Sequence, residues 1–223
     1  MKSNSQTEEN YLKALYNLAN DKAEINATDL AKSLEVSLPT VNSMVKRLSE
    51  REYLSYEKYK PLRLTKKGSK AAADIIRKHR LTEMYLFEKM GFGWEEVHMI
   101  AEQVEHIKSE RFFDRMDELL GFPRFDPHGS PIPDKNGEVI SQELLELAKV
   151  EIGKTYELKA LSNSSQDLLN YLNTKSLTIG SKIELKSKES FDDSLVVSYG
   201  NHSSEVLSQK VSQRLMVILS TEA

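Results

Sequence analysis

Apolar residues recur at helical spacing from the start of the chain. In TEENYLKALYNLAN, Tyr11, Leu12, Leu15, Leu18 and Ala19 share one face, and Thr7 is a candidate cap. Glu8 and Glu9 fall in the first turn, where the helix dipole favours acidic residues. The pattern then shortens. Thr28 opens a short helix with Leu30, Ala31 and Leu34 inward; after the VSLP turn, Val41, Met44, Val45 and Leu48 mark the apolar face of a second helix. Two β-prone runs, Tyr53 to Tyr56 and Leu62 to Thr65, flank the basic tip EKYKP. This order predicts a winged helix-turn-helix.

A long helix is predicted after Gly68, with Ile75, Ile76, Leu86 and Phe87 as an inward stripe interrupted by His79 and Glu83 one turn apart. Gly91 and Gly93 break it. HMIAEQVEHIKSE, residues 98–110, reads as the next helix, with Ile100, Val104 and Ile107 as a packing flank, and Phe112 to Leu120 as a third. The loop GFPRFDPHGSPIPD is too rich in proline for regular structure. A short amphipathic helix over Ser141 to Lys149 then precedes KIELK, SLVVSY and LMVIL, strands of a small antiparallel barrel, with LSNSSQD as a loop. The fold class is therefore mainly α with small β parts. The expected domains are 1–72 (winged helix-turn-helix), 73–140 (helical, pairing apolar faces as a dimerisation domain) and 141–223 (linker helix and β-barrel).

Composition narrows the function. The 223 residues are 39% hydrophobic, enough for a sizeable core. No run reaches membrane-spanning length and MKSNSQTEEN lacks a signal-peptide layout, so a soluble cytoplasmic protein is expected. With no cysteine, disulfides and thiolate ligands are excluded. The net charge of −3 hides an asymmetry: residues 1–80 carry 16 Lys/Arg against 10 Asp/Glu, and the remainder 15 against 24. A basic head and an acidic remainder suit a polyanion-binding module joined to one that handles cations.

Both modules offer candidate residues. Pro39, Thr40, Asn42 and Ser43 open the second helix on the side away from its apolar face, within reach of base edges; Thr28 and Ser37 complete the DNA-facing set. Lys46 and Arg47, with Lys58, Lys60, Lys66 and Lys67 of the wing region, suit phosphate contacts. In the acidic part, a helix over 98–110 would project His98, Glu102, Glu105 and His106 within an arc of about 100°. Imidazole and carboxylate without sulfur suit Mn²⁺, Fe²⁺, Co²⁺ or Zn²⁺, with the carboxylates favouring the harder ions. A solvated acidic face paired to Lys108 and Arg111 is the simpler alternative. A dimetal enzyme is disfavoured because Glu105 and His106 are adjacent, whereas bundle oxidases need Glu-x-x-His. No nucleophile elbow, P-loop or Cys-His arrangement supports other catalysis.

The order TEENYLKALYNL, winged helix, RKHRLTEMYL, VHMIAEQVEH, DPHGSPIP and a small β-domain resembles the diphtheria toxin repressor family of metal-dependent transcriptional regulators along nearly the whole chain. The match is specific in the helical middle and looser at the C-terminus. The resemblance implies a homodimer with a C-terminal SH3-like (FeoA-type) domain, binding palindromic operators of metal-uptake genes with Mn²⁺ or Fe²⁺ as corepressor, two ions per subunit. One centre would use Glu102, Glu105 and His106 with Asn10, where family members usually have Met or Asp. A second would draw on His79, Glu83 and His98, joined by Asp126 and His128 from the DPHG loop; Gln166 and Asp167 lie near any ligand from the β-domain. Glu102 in place of the cysteine of iron-responsive members points to manganese. Two rival readings remain at this stage, a dimetal carboxylate-histidine enzyme and a metal-independent winged-helix DNA-binding protein.

Overall fold

The computed structural model describes residues 4–22, 24–57 and 60–220, which divide into two compact units. Of the described residues, the first takes those within 4–82, 101–119 and 132–139, and the second those within 83–100, 120–131 and 140–220.

The first unit begins with α1 (Gln6–Asp21), α2 (Ala27–Ser33) and α3 (Leu38–Glu50), followed by a minimal wing of β1 (Leu54–Ser55) antiparallel to β2 (Arg63–Leu64). It then takes the first turns of the long α4 (Lys66–Met90) and all of α6 (Glu110–Leu119). Caps set the helix starts, and they are not the residues expected. Ser5, not Thr7, caps α1 in a reciprocal capping box with Glu8; Asn26, not Thr28, caps α2 in another with Asp29. In each case the true cap precedes an acidic residue three positions on, which returns a bond to the cap backbone. The predicted apolar faces meet as one core: Leu12, Leu15, Leu30, Val41, Val45 and Leu48 are fully buried. Each contributes roughly 1.5–3 kcal/mol by leaving water. Gly68 lies inside the first turn of α4 rather than before it, and the helix passes so close to Tyr53 there that a Cβ would fall 1.9 Å from the Tyr53 carbonyl oxygen.

The second unit is built on a six-stranded antiparallel sheet in the order β3-β8-β4-β5-β6-β7. Its strands are β3 (Leu145–Glu146), β4 (Thr155–Leu161), β5 (Lys182–Lys188), β6 (Leu195–Tyr199), β7 (His202–Leu207) and β8 (Leu215–Leu219), accompanied by α7 (Gln166–Thr174) and α8 (Gln209–Ser212). Inward positions alternate: Leu158, Ile183, Leu185, Val197, Leu215 and Val217 are buried, together with Leu169 and Leu172 of α7. Trp94, the chain's single tryptophan, packs into this core.

Several local expectations are corrected. The helix predicted over Ser141–Lys149 is absent. Leu145 and Glu146 pair instead with Val217 and Met216, and residues 147–149 form one tight turn with Leu147 buried; the sheet supplies the backbone partners that a lone short helix would supply less well. Part of LSNSSQD caps a helix, Ser165 opening α7. The helix expected over 98–110 is α5 (Val97–Val104). Glu105 completes its last turn by donating to the Ala101 carbonyl, Ile107 tightens the turn onto Val104, and Ser109 then caps α6 through the Phe112 amide. Phe87, assigned to the inward stripe of α4, is exposed, whereas Leu86 is buried.

Candidate metal centre and nucleic-acid interface

The reading head presents its expected face. Ser37, Pro39, Thr40, Asn42, Ser43, Lys46 and Arg47 are all exposed, as is Thr28 on α2, while Val41, Val45 and Leu48 on the opposite side of α3 are buried. Ser37 caps α3 by accepting from the Thr40 amide, and Pro39 sits in the first turn where its missing N–H costs nothing. The Ser43 hydroxyl donates to the Pro39 carbonyl at 3.1 Å. Arg47 has a second role. Its Nε lies 3.0 Å from buried Glu8, which also accepts from Arg51 at 2.7 Å, so the pair of guanidiniums ties α3 to α1. Burial raises the Glu8 pKa, but the Arg51 bond, the Ser5 amide and the two positive charges outweigh it and hold the carboxyl below its usual value. In the wing region Lys66 is exposed, Lys60 pairs with Glu57, and Lys67 reaches Glu52 and the Arg51 carbonyl; Lys58 lies outside the described residues.

A buried polar cluster sits in the same unit. Glu105, at 1% exposure, is bonded to His79 Nδ1 at 2.6 Å, and donor atoms of His79, Glu102 and Glu105 all lie within 4.8 Å of one another. His106 Nδ1 is 2.7 Å from Glu9, and its Nε2 is 3.7 Å from Glu105. Lys108 also binds Glu9. The Asn10 side-chain oxygen is buried without a hydrogen-bond partner, so a polar acceptor is left unsatisfied. Lys13, which no sequence signal singled out, bonds Glu102 at 2.6 Å and both oxygens of Glu105 at 2.7 and 2.9 Å. Glu9 also went unread, having been taken as a dipole-favoured residue of the first turn. The patch inferred along residues 98–106 is therefore shared out: Glu102, Glu105 and His106 find partners from α1 and α4 in the first unit, and His98 finds its partner in the second.

In the second unit Glu83, Asp126 and His128 are all buried, with donor atoms within 4.8 Å of one another. Asp126 holds the DPHG loop closed by accepting from the His128 and Ser130 amides at 2.8 and 2.9 Å. His128 Nε2 donates to the Trp94 carbonyl at 2.8 Å, which turns Nδ1 toward Glu83 and Asp126 at 3.8 and 4.0 Å. A backbone acceptor on one ring nitrogen, with the other aimed at carboxylates, is the arrangement that orients a metal-binding imidazole. Burial lowers the His128 pKa, but the facing Glu83 and Asp126 carboxylates and the Trp94 carbonyl outweigh it, leaving the value raised. Gly129 adopts φ +84° and lies so close to β4 that a Cβ would fall 2.0 Å from the Lys159 carbonyl oxygen. His98, at the solvent side, bonds Glu83 at 3.1 Å and lines a 370 Å³ groove that also includes Gln166; Asp167 is not among its lining residues. Both clusters are sulfur-free sets of nitrogen and oxygen donors, chemically suited to a first-row divalent ion.

Models of the iron dependent repressor match residues 4–62 (N-terminal DNA binding domain) and 65–134 (metal binding and dimerisation domain), and a FeoA domain model matches 145–219. The HTH-type transcriptional regulator MntR of Bacillus pumilus is 35% identical over 114 residues, 51% of this chain and 78% of that protein. This chain belongs to the iron-dependent repressor family. Another repressor of the family, IdeR of Mycobacterium leprae, is 38% identical over 127 residues, 57% of this chain; the match spans only 55%, just over half, of the length of that relative. A solved manganese-dependent transcriptional repressor in complex with manganese superposes with a TM-score of 0.85 at 28% identity, covering 96% of this chain and 100% of that one. The three models thus cover the head, the helical segment that follows it and the C-terminal sheet.

Proposed function

We propose that the protein is a homodimeric, metal-dependent transcriptional repressor that binds palindromic operators of metal-uptake genes, with Mn²⁺ as the favoured corepressor and Fe²⁺ as the runner-up, at two sites per subunit. One structural fact carries most weight: α1 contributes Glu9 and Lys13 to the buried polar cluster, with the unpartnered Asn10 oxygen one turn before Lys13, while Leu12 and Leu15 lie in the core of the reading head. Asn10, Glu102, Glu105 and His106 would hold a divalent ion, which would supply positive charge to the carboxylates. Glu105 and His106 lie together, Glu9 of α1 bonds His106, and α1 is tied to α3 through Glu8, Arg47 and Arg51. Metal tightens DNA binding only by as much as its own affinity differs between the two arrangements of the head.

The donor set favours manganese. Carboxylate and amide oxygens are hard ligands and imidazole a borderline one, although stability order alone would let Zn²⁺ or Co²⁺ bind as well in a test tube. In the second unit Glu83, Asp126 and His128, with His98 at the solvent side, would hold the other ion. Exposed Phe112 and Leu119 on α6 supply apolar positions for a second copy of the chain to cover. Two heads held by such a dimer would enter major grooves about 34 Å apart.

Retardation of DNA from upstream of metal-transporter genes tests this reading, with EDTA, Mn²⁺ or Fe²⁺ added in turn. Retardation is expected with either metal and lost in EDTA, and Glu105→Ala or His106→Ala should abolish the metal response while leaving a folded dimer. Binding indifferent to chelator would leave a metal-independent winged-helix protein in its place.

A further inference from the structure

The carboxylates of the first cluster already hold a cation belonging to the chain. Lys13 follows Asn10 by three residues on α1, so both side chains leave the same face of the helix. Its ammonium makes three bonds, at 2.6 Å to Glu102 and at 2.7 and 2.9 Å to Glu105, and uses both oxygens of the latter. The Lys13 side chain is 14% exposed and that of Glu105 is fully buried, so water screens this contact little; the Glu102 side chain is 35% exposed, and its contact is screened more. Glu105 Oε2 also meets His79, which fixes the direction in which the carboxylate presents its oxygens.

We propose that Lys13 is a tethered competitor for the metal: it neutralises Glu102 and Glu105 in the metal-free protein, and a divalent ion gains those oxygens only by displacing it. The proposal rests on the metal-dependent reading above. A dication and an ammonium cannot both bind the same two carboxylates at short range in a poorly screened site, because like charges a few ångströms apart repel strongly there. Lysine suits the task. Its charge is compact and its four-carbon stem flexible, so the ammonium can swing toward solvent without breaking the fold. A competitor present in every chain lowers the apparent metal affinity by the fraction of chains in which it holds the site, which sets the ion concentration at which the regulator responds. It also keeps α1 joined to residues 102–105 when metal is scarce.

The test is Mn²⁺ titration followed by the paramagnetic resonance of free aqueous ion, on the full chain. Wild type, His128→Ala (to silence the second cluster), and His128→Ala combined with Lys13→Gln, Lys13→Met or Lys13→Arg are compared. On the His128→Ala background, the neutral Gln and Met variants should bind one Mn²⁺ at least tenfold more tightly than the Lys13 parent, and the charge-preserving Arg variant should stay weak. Thermal melts without metal should place the neutral variants below their parent, with saturating Mn²⁺ raising them by the larger shift; Met, which keeps the apolar stem, serves if Gln folds poorly. Equal affinities across Lys, Gln and Met would overturn the proposal and leave the regulator reading intact. Uptake by wild type but by none of the His128→Ala proteins would also overturn it, since the first cluster would then hold no ion. Absence of stoichiometric uptake by every protein would remove the regulator reading, and the proposal with it.

Discussion

Replacing Gly129 by Ala should damage the second cluster without touching any of its donor atoms. The added Cβ would sit 2.0 Å from the Lys159 carbonyl oxygen and 2.6 Å from Ala160 Cα, at a backbone φ of +84°. The left-handed conformation alone costs an L-residue about 1–2 kcal/mol. Relieving a clash against backbone adds about 1–3 kcal/mol, as overpacking does elsewhere. The loop must then move away from β4, which puts at risk the 3.0 Å bond from the Leu161 amide to the His128 carbonyl, roughly 1 kcal/mol more. The combined loss is about 3–6 kcal/mol. Gly180→Ala is the matched control in the same unit: φ is +89° and nothing lies within 4 Å of its Cβ, so only the backbone cost, about 1–2 kcal/mol, should appear. Denaturant unfolding followed by Trp94 emission reads both, because that side chain lies in the β-domain core and stacks on His128 at 6.1 Å. Moving the loop also moves His128, so Gly129→Ala should weaken Mn²⁺ uptake at this cluster whereas Gly180→Ala should not. Equal losses of about 1–2 kcal/mol for both variants, with unchanged Mn²⁺ uptake, would refute the close-approach argument.

Further outcomes follow from the head. The lowered pKa of Glu8 means that the folded state binds its proton less readily than the unfolded chain, so the contribution of the Glu8–Arg47–Arg51 group is complete above the usual glutamate value of 4.5 and drains away as pH falls through the depressed one. Glu8→Gln should flatten that acid limb in melting temperature against pH; an unchanged acid limb would remove Glu8 as its cause. Asn42→Ala and Lys46→Ala should part company in DNA binding: the first relaxes sequence preference at one position by about 1–3 kcal/mol, and the second weakens all sequences alike and lowers the salt slope by about 1. Competition retardation with mutated operators at two salt concentrations separates them. Glu105→Ala should lower metal-free stability by about 3 kcal/mol, because it leaves Lys13 and His79 short of a buried partner. Helical circular dichroism during urea unfolding in EDTA measures it, and a loss under about 0.5 kcal/mol would show that the buried carboxylate is not what holds these groups.

Local pattern was enough for much of this molecule. The apolar spacing of Leu12 and Leu15, of Leu30, and of Val41, Val45 and Leu48 determined three helices with a common buried side, because amphipathic periodicity is a property of consecutive residues. The same pattern placed Asn42, Ser43 and Lys46 outside, and the order of motifs through DPHGSPIP made the family legible. Tertiary structure decided what periodicity leaves open. LELAK has an apolar spacing that suits either element, and only pairing with β8 made Leu145–Glu146 a strand. Glu102, Glu105 and His98 look alike on a helical projection, yet their partners come from residues as distant as Lys13 and His79 in one case and Glu83 in the other. Lys13 reads as an ordinary surface lysine until the chain folds. Its importance lies in the burial of the carboxylates it meets, and burial belongs to the packed molecule, since it depends on what the rest of the chain brings alongside.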